Sequence, residues 1–184
     1  GGDPSRVVTP CRTFGDLWQK YLELHAKPMK KSWRRDQQRY GKYLAKRFAT
    51  KELEDLSTAD FQRLQAEMGA KHGRGQANVI RTLVSSVFTF AIKCGYWHGR
   101  NPVRDVERFP QNDRERFLAP EELPRFFEAL EGAYSRTFKD YVLLSLYLGA
   151  RQGSVLAMRW DQVDFARKVW TIPGEEHKSG KSTA

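Results

Sequence analysis

A single arginine between two apolar segments is the residue best suited to chemistry in this sequence. Residues 144–160 read LSLYLGARQGSVLAMRW, so Arg151 follows one apolar helix and precedes the next. A guanidinium is always charged, and at such a seam it is costly unless an anion meets it. Its planar fork matches two phosphate oxygens, and the start of the next helix offers further N–H donors. The pattern predicts an anion site at Arg151, although an internal carboxylate or a backbone carbonyl would also satisfy the charge.

The distribution of charge along the chain indicates which anion to expect. The formal net charge is +10, and the whole excess lies in residues 1–110, whereas residues 111–184 are neutral. Basic charge concentrated in one part of a chain favours a polyanion partner, most often nucleic acid. The alternative is a solubilising surface with no specific partner.

A predicted helix over residues 33–48, here called the basic helix, carries much of this charge. Ser32 is its expected N-cap, and residues 27–51 contain ten Lys or Arg and one acid, Asp36. A period of about 3.6 residues separates two faces of this helix. The apolar face holds Trp33, Gln37, Tyr40 and Leu44. The opposite face, here called the basic stripe, holds Arg35, Arg39, Lys42 and Lys46.

Two groups of polar residues are predicted to contact DNA. The first is the basic stripe together with three residues near the helix start, Lys30, Lys31 and Arg34. The second lies at the start of a later helix and comprises Arg74, Gln76, Asn78 and Arg81. Asn and Gln side chains can read base edges, although contacts to phosphate are commoner. A merely solvated basic face is the alternative for both groups.

The basic helix is expected to be the second of four helices in an N-terminal bundle, residues 12–104. The first helix should start after Thr13 and end at Lys27-Pro28, because proline interrupts helices. A loop over residues 69–75, rich in glycine, separates the third helix from a fourth over residues 76–94. The fourth helix is apolar around more than half of its circumference, which is typical of the central helix of a bundle.

The second half of the chain predicts a smaller α+β unit. Residues 105–115 are polar and aperiodic, which indicates a linker before a domain over residues 116–184. In that domain FKDYVLLSLYLGA is apolar nearly all round and predicts a buried helix. The segments QVDF and VWTIP predict an antiparallel β-hairpin. Residues 1–11 are expected to be a flexible lead-in or a cloning remnant.

Composition excludes several classes of function. The chain has two cysteines and neither a CxxC pair nor a Cys/His cluster, so we expect no disulfide framework and no metal site. No apolar run approaches the roughly 20 residues of a membrane span, and no signal peptide is visible. The sequence therefore predicts a cytoplasmic protein without a membrane partner.

The order of these segments resembles the tyrosine recombinases, the phage-integrase family. YLGARQGSVLAMRWDQVDF followed by VWTIPGEEHKSGK is similar to the first catalytic box of that family, and RERFLAPEEL is similar to the start of its catalytic domain. KKSWRRDQQRYGKYL, LEDLSTADF and GQANVIRTLVSSVFTFAIKCGY are similar to its core-binding domain. The resemblance covers residues 13–182. It implies a mainly α fold, with a four-helix, SAM-like core-binding bundle and the first part of an α+β catalytic domain with a small antiparallel sheet.

The family resemblance also implies a chemistry. Arg151 would hold the scissile phosphate, and Lys178 on a turn after the hairpin would protonate the leaving 5′ oxygen, with Lys181 as the competitor for that role. The reaction joins DNA strands through a 3′-phosphotyrosyl intermediate and requires no cofactor or metal. The implied partners are double-stranded DNA at a recombination site and further protomers in a synaptic tetramer, in a bacterial or phage-encoded protein.

The sequence departs from the family pattern in two respects. Ser154 stands where the family usually has an acid, and none of His25, His72, His98 and His177 has arginine three residues on. No tyrosine follows Arg151. We therefore expect an inactive part of a longer recombinase, as a monomer or weak dimer. A degenerate DNA-binding regulator and a helical domain that binds an acidic protein remain alternatives.

Overall fold

The computed structural model describes residues 11–111 and 116–173, and the chain divides into two compact units. Unit 1 comprises residues 1–113 and unit 2 comprises residues 114–184. Unit 1 is helical, and unit 2 combines helices with a two-stranded antiparallel sheet. The predicted class, mainly α with a small antiparallel sheet, is confirmed.

The first helical segment of unit 1 is longer than the sequence predicts. Helix α1 (Phe14–Tyr21) continues through a π-helical turn (Leu22–Ala26) into α2 (Lys27–Met29), so the predicted break at Lys27-Pro28 is wrong. A proline ring normally clashes with the carbonyl four residues earlier. Here the widened turn, closed by the Lys27 N–H to the Leu22 carbonyl, comes directly before Pro28.

The basic helix begins and ends where the sequence predicts. It consists of α3 (Trp33–Arg39), a π-helical turn (Tyr40–Leu44) and α4 (Ala45–Phe48). Ser32 occupies the N-cap position, but its side chain makes no capping hydrogen bond. The predicted apolar face needs one correction, because Gln37 is exposed and Asp36 is buried in its place. The buried side of α3 therefore carries an acid, Asp36, which forms ion pairs with Lys30 and Arg39.

Two longer helices complete unit 1. Helix α5 (Thr58–His72) begins with a capping box in which Ser57 and Asp60 satisfy each other's backbone N–H groups. Helix α6 (Arg74–Lys93) follows after a single residue, Gly73, whose φ of 85° suits glycine. The predicted loop over residues 69–75 is thus wrong in extent, because α5 and α6 take up all but one of its residues.

The core of unit 1 is aromatic and is centred on α1 and α6. Phe14, Trp18, Phe48 and Phe88 are almost completely buried. The ring of Tyr40, in the basic helix, stacks on Trp18 with centroids 4.3 Å apart and parallel planes. This stack attaches the basic helix to the core.

The chain that leaves α6 also belongs to unit 1. Val103 and Val106 are buried, and Phe109 packs against the core. A Cβ atom on Gly69 would lie 2.6 Å from the Phe109 ring, so the aromatic side chain fits only because residue 69 is glycine. The predicted linker at residues 105–115 therefore includes residues that pack against the bundle as far as Phe109. Their spacing of three residues buries one side of an otherwise polar segment.

The described residues of unit 2, 116–173, form three α-helices and a short hairpin. Helix α7 (Leu123–Glu131) follows a 3₁₀ turn, and α8 (Arg136–Leu148) is followed by α9 (Gln152–Leu156). Strands β1 (Val163–Asp164) and β2 (Val169–Trp170) pair antiparallel, as predicted.

Helix α8 is more exposed than the sequence predicts. No residue of α8 is buried, and Leu146 and Tyr147 are 45 % and 78 % exposed. A helix that is apolar all round needs neighbours on several sides, and the described residues of unit 2 do not cover this one. The prediction of a buried helix is therefore wrong for the described part of the chain.

We predict that Asp60 makes unit 1 sensitive to acid. Burial alone would raise its pKa, but hydrogen bonds from Ser57 and Lys51 lower the pKa of Asp60 to about 2. The unfolded chain takes up this proton near its ordinary pKa of 3.8, so the stabilisation is complete above that pH and is lost as the pH falls towards 2. Asp60→Asn should lower the free energy of unfolding at pH 7 by about 1–2 kcal/mol and flatten its dependence below about pH 4.

The matched control is Asp16→Asn, which removes the capping-box carboxylate of α1 at an exposed position where no ion pair forms with another described residue. Urea unfolding followed by circular dichroism over a pH series measures both variants. An Asp60→Asn protein with unchanged acid dependence would contradict the assignment.

Candidate nucleic-acid interface

The basic stripe presents unpaired cations to solvent. Arg35, Lys42 and Lys46 are exposed, and none of them makes an ion pair within residues 11–111 and 116–173. The Lys42 ammonium lies 5.1 Å from the centroid of the neighbouring Tyr43 ring, and the exposed Arg34 guanidinium lies 4.8 Å from the Trp33 ring. Lys31 is also exposed. Arg35, Lys42 and Lys46 can therefore reach an anionic surface without breaking an ion pair to another described residue.

Two other cations of the same region are held by Asp36. The Asp36 carboxylate is 4 % exposed, and its two oxygens are taken by different partners. Lys30 Nζ contacts Oδ2, and Arg39 Nη1 lies 3.4 Å from Oδ1. Lys30 Nζ also lies 3.3 Å from the Tyr21 hydroxyl. Burial alone would lower the pKa of Lys30, but its hydrogen bonds to Asp36 and Tyr21 raise that pKa, so Lys30 is charged at neutral pH.

A groove of about 350 Å³ runs beside this ion-pair cluster. We call it the basic groove; one wall consists of residues around the start of the basic helix and another of residues of α6. Its charged lining residues are Lys30, Asp36, Arg39 and Arg108. Arg108 is exposed and was not singled out from the sequence. The lining therefore has an excess of positive charge, which suits an anion.

Asn78, which the sequence suggests as a base-reading residue, forms its hydrogen bonds inside unit 1 instead. Its side chain is 7 % exposed. Its amide donates to the Phe109 carbonyl at 2.8 Å, and its oxygen accepts from the Phe109 N–H at 2.9 Å and from Gln65 Nε2 at 3.0 Å. The side-chain oxygen of Asn78 thus accepts two hydrogen bonds, and its side-chain nitrogen donates one, all within unit 1.

Arg81 has a similar internal role. Its guanidinium donates to the carbonyls of Val106, Val103 and Arg104 at 2.5, 3.1 and 3.3 Å. Burial, together with the nearby charge of Arg108, lowers the pKa of Arg81. One turn apart on α6, Asn78 and Arg81 therefore hold the exit segment, residues 103–109, against the bundle, and we withdraw both from the set of DNA contacts.

The other members of the second predicted group keep accessible side chains. Arg74 is exposed and Gln76 is half-buried at the start of α6. Asn78 and Arg81 each adjoin a buried apolar residue in the sequence, Ala77 and Ile80 respectively, but so does the accessible Gln76. Asp36 could have been found as the one acid among ten basic residues.

Arg151 lies at the junction between two helices in unit 2. Helix α8 ends at Gly149 with φ of 57°, and Arg151 is the exposed N-cap residue of α9. Its carbonyl accepts from the Ser154 N–H at 2.9 Å, and the Ser154 side chain is buried. The local geometry thus has the predicted seam between two helices. The second predicted catalytic residue, Lys178, lies outside the described residues.

Two kinds of feature are absent from the described part of the chain, a metal-binding cluster and a membrane-spanning helix. Within it, no group of three or more His, Cys, Asp or Glu side chains is arranged to hold a metal ion. None of the helices in residues 11–111 and 116–173 is both long enough and apolar enough to cross a bilayer.

Comparison with known proteins places these features in a family context. The chain is 27 % identical over 199 residues to the integrase of Salmonella phage P22, an alignment that covers 93 % of this chain and 49 % of the phage protein. The chain thus spans about half the length of the curated relative that it matches. No protein-family profile matches the chain.

Solved structures with the same fold include lambda integrases bound to DNA. A lambda integrase tetramer on a Holliday junction gives a TM-score of 0.77 at 18 % identity, over 95 % of this chain and 50 % of that one. A dimer on a COC′ core site gives 0.75 at 18 % identity, over 93 % and 47 % of the two chains. A dimer of residues 75–356 of lambda integrase on the same kind of site gives 0.77 over 94 % and 61 %. The predicted resemblance to phage integrases is confirmed, and the fold is that of lambda integrase.

We predict that Arg81 fixes the exit segment. Arg81→Ala removes three hydrogen bonds to carbonyls and should lower the free energy of unfolding by about 2–3 kcal/mol. The amides of residues 103–109 should exchange hydrogen faster than in the unmodified protein, as measured by mass spectrometry.

Arg74→Ala is the matched control, because Arg74 is an exposed arginine of the same helix with no side-chain hydrogen bond in the described residues. Its effect should stay within about 0.5 kcal/mol. Equal exchange rates over residues 103–109 in the two variants would contradict the role given to Arg81.

Proposed function

We propose that this relative of the phage integrases is the DNA-binding portion of a site-specific tyrosine recombinase. The observation that carries the proposal is the basic stripe on the outer face of a helix anchored in the core. There, Arg35, Lys42 and Lys46 are exposed and make no ion pair in the described part of the chain. Unpaired cations along one line fit the repeating phosphates of a duplex, which attract such surfaces irrespective of sequence.

The proposed contact surface is smaller than the set predicted from the sequence. It comprises Lys31, Arg34, Arg35, Lys42, Lys46, Arg74 and Gln76, with Lys30 and Arg39 in the basic groove. Most of these residues would contact phosphates and fix the register of the protein, because such contacts dominate protein–DNA interfaces. Gln76 is the remaining candidate for contact with a base edge.

Arg151 and Lys178 are proposed to act on the scissile phosphate in a longer protein that contains this chain. A tyrosine oxygen outside these 184 residues would attack phosphorus while the bond to the 5′ oxygen breaks and Lys178 gives that oxygen a proton. Arg151 would stabilise the charge that develops on the non-bridging oxygens. The resulting 3′-phosphotyrosyl bond conserves the energy of the phosphodiester, so a 5′ hydroxyl can reverse the step without ATP.

We propose the same partners for the longer protein, namely double-stranded DNA at a recombination site and other recombinase protomers. The two lambda integrase assemblies on DNA, a tetramer and a dimer, support this part of the proposal. For the 184-residue chain alone, we propose DNA binding as a monomer or weak dimer without strand cleavage.

We predict that the chain binds duplex DNA with a strong salt dependence. If about six phosphates are neutralised, a plot of log affinity against log salt concentration should have a slope of about −5. Lys46→Gln should weaken binding about three- to tenfold and make the slope shallower by about 1. Fluorescence anisotropy with a labelled duplex across a salt series measures both quantities.

Lys20→Gln is the matched control, because it removes the same charge from a lysine near Cys11, beside a second cavity that shares no lining residue with the basic groove. Its effect should be smaller than that of Lys46→Gln. Absent or salt-insensitive DNA binding would instead favour a domain that binds an acidic protein.

A second prediction concerns Arg151 in the longer protein. Arg151→Ala should slow formation of the covalent protein–DNA adduct on a nicked recombination site about 100- to 1,000-fold, because a preorganised donor to the phosphate is lost. Binding of the uncleaved duplex should change little. Adduct formation at the normal rate would contradict the catalytic role of Arg151.

A further inference from the structure

We propose that Asp36 is a positioning residue of the DNA-binding surface, whose buried carboxylate fixes Lys30 and Arg39 beside the basic groove so that they receive one backbone phosphate of the duplex. This inference rests on the proposed function and assigns a role to a residue whose own charge opposes DNA.

The first support is the geometry around the carboxylate. Asp36 is 4 % exposed, and each of its oxygens faces a different cation. Lys30 precedes the basic helix and Arg39 lies on it, so the carboxylate connects two chain segments. The Tyr21 hydroxyl, 3.3 Å from Lys30 Nζ, is a second fixed partner for the ammonium group. Lys30 and Arg39 thus both contact a buried acceptor before any ligand arrives.

The second support is the balance of charge in the groove. The two cations exceed the single carboxylate by one positive charge, and Arg108 adds another on the same groove. Arg108 makes no ion pair in the described part of the chain. A phosphodiester has one negative charge and several acceptor oxygens, which suits donors arranged in this way.

Preorganisation explains why an acid is useful in a basic surface. Long side chains lose rotamer freedom when they bind a ligand, and this loss lowers affinity. A buried carboxylate imposes that order during folding. Buried ion pairs are weak contributors to stability compared with apolar packing, so stability alone is a poor account of Asp36.

The substitution Asp36→Asn tests the proposal, because net charge and the positioning role predict opposite changes in DNA affinity. Asp36→Asn raises the net charge of the protein from +10 by one unit. If net charge alone governed the attraction to DNA, binding would become tighter. The positioning role predicts the reverse, with affinity for a random-sequence duplex about tenfold lower and a log–log salt slope shallower by about 1–2. The full 184-residue chain and fluorescence anisotropy at several salt concentrations are used.

Glu54→Gln provides the matched control, because Glu54 is an exposed acid beside the second cavity and its removal adds the same charge. Its affinity should be unchanged or slightly higher. Melting curves establish that each variant is folded at the assay temperature.

Asp36→Asn binding that is as tight as or tighter than the unmodified chain would overturn the proposal, and so would weaker binding with an unchanged salt slope. If Asp36→Asn is unfolded in the assay, Asp36→Glu decides, because it keeps the charge and moves the carboxylate by one methylene. Positioning predicts several-fold weaker binding for Asp36→Glu, and unchanged affinity would overturn it. Failure of the unmodified chain to bind DNA would instead contradict the proposed function itself.

Discussion

The attachment of the basic helix to an aromatic core is the constraint on which the rest of the surface depends. Tyr40 stacks on Trp18 at 4.3 Å, and Leu44 and Phe48 of the same helix are completely buried. Because one side of the helix is committed to these contacts, the cations at intervening positions must face away from the core. Hydrophobic burial therefore produces the line of exposed positive charge, and no favourable interaction among the cations is needed.

Two kinds of basic residue then share this surface. Some, such as Lys46, are exposed cations whose attraction to an anion acts over a long range and is screened by salt. Others, Lys30 and Arg39, are fixed by Asp36 beside a groove. Under the proposed function, long-range attraction would bring a duplex to the protein, whereas fixed donors would define where a phosphate can sit. This combination would make the surface both attractive to DNA and selective about its register.

The sequence was sufficient for the features that depend on local periodicity. The bounds of the basic helix, the capping of α1 at Thr13 and the short hairpin follow from residue spacing and turn residues. It was insufficient where distant segments meet. The internal roles of Asn78 and Arg81 depend on carbonyls 31 and 25 residues later, and no helical wheel contains those partners. A polar side chain on a helix requires a hydrogen-bonding partner. Only the folded structure shows whether that partner belongs to the protein itself or must come from solvent or a ligand.

Lysine acetylation followed by mass spectrometry, with and without a DNA duplex, tests the central claim most directly. The account predicts that DNA protects Lys42 and Lys46 from acetylation and leaves Lys20 as reactive as before, because the basic stripe is the surface that contacts the duplex. Equal protection of all three lysines, or protection of Lys20 alone, would contradict the account.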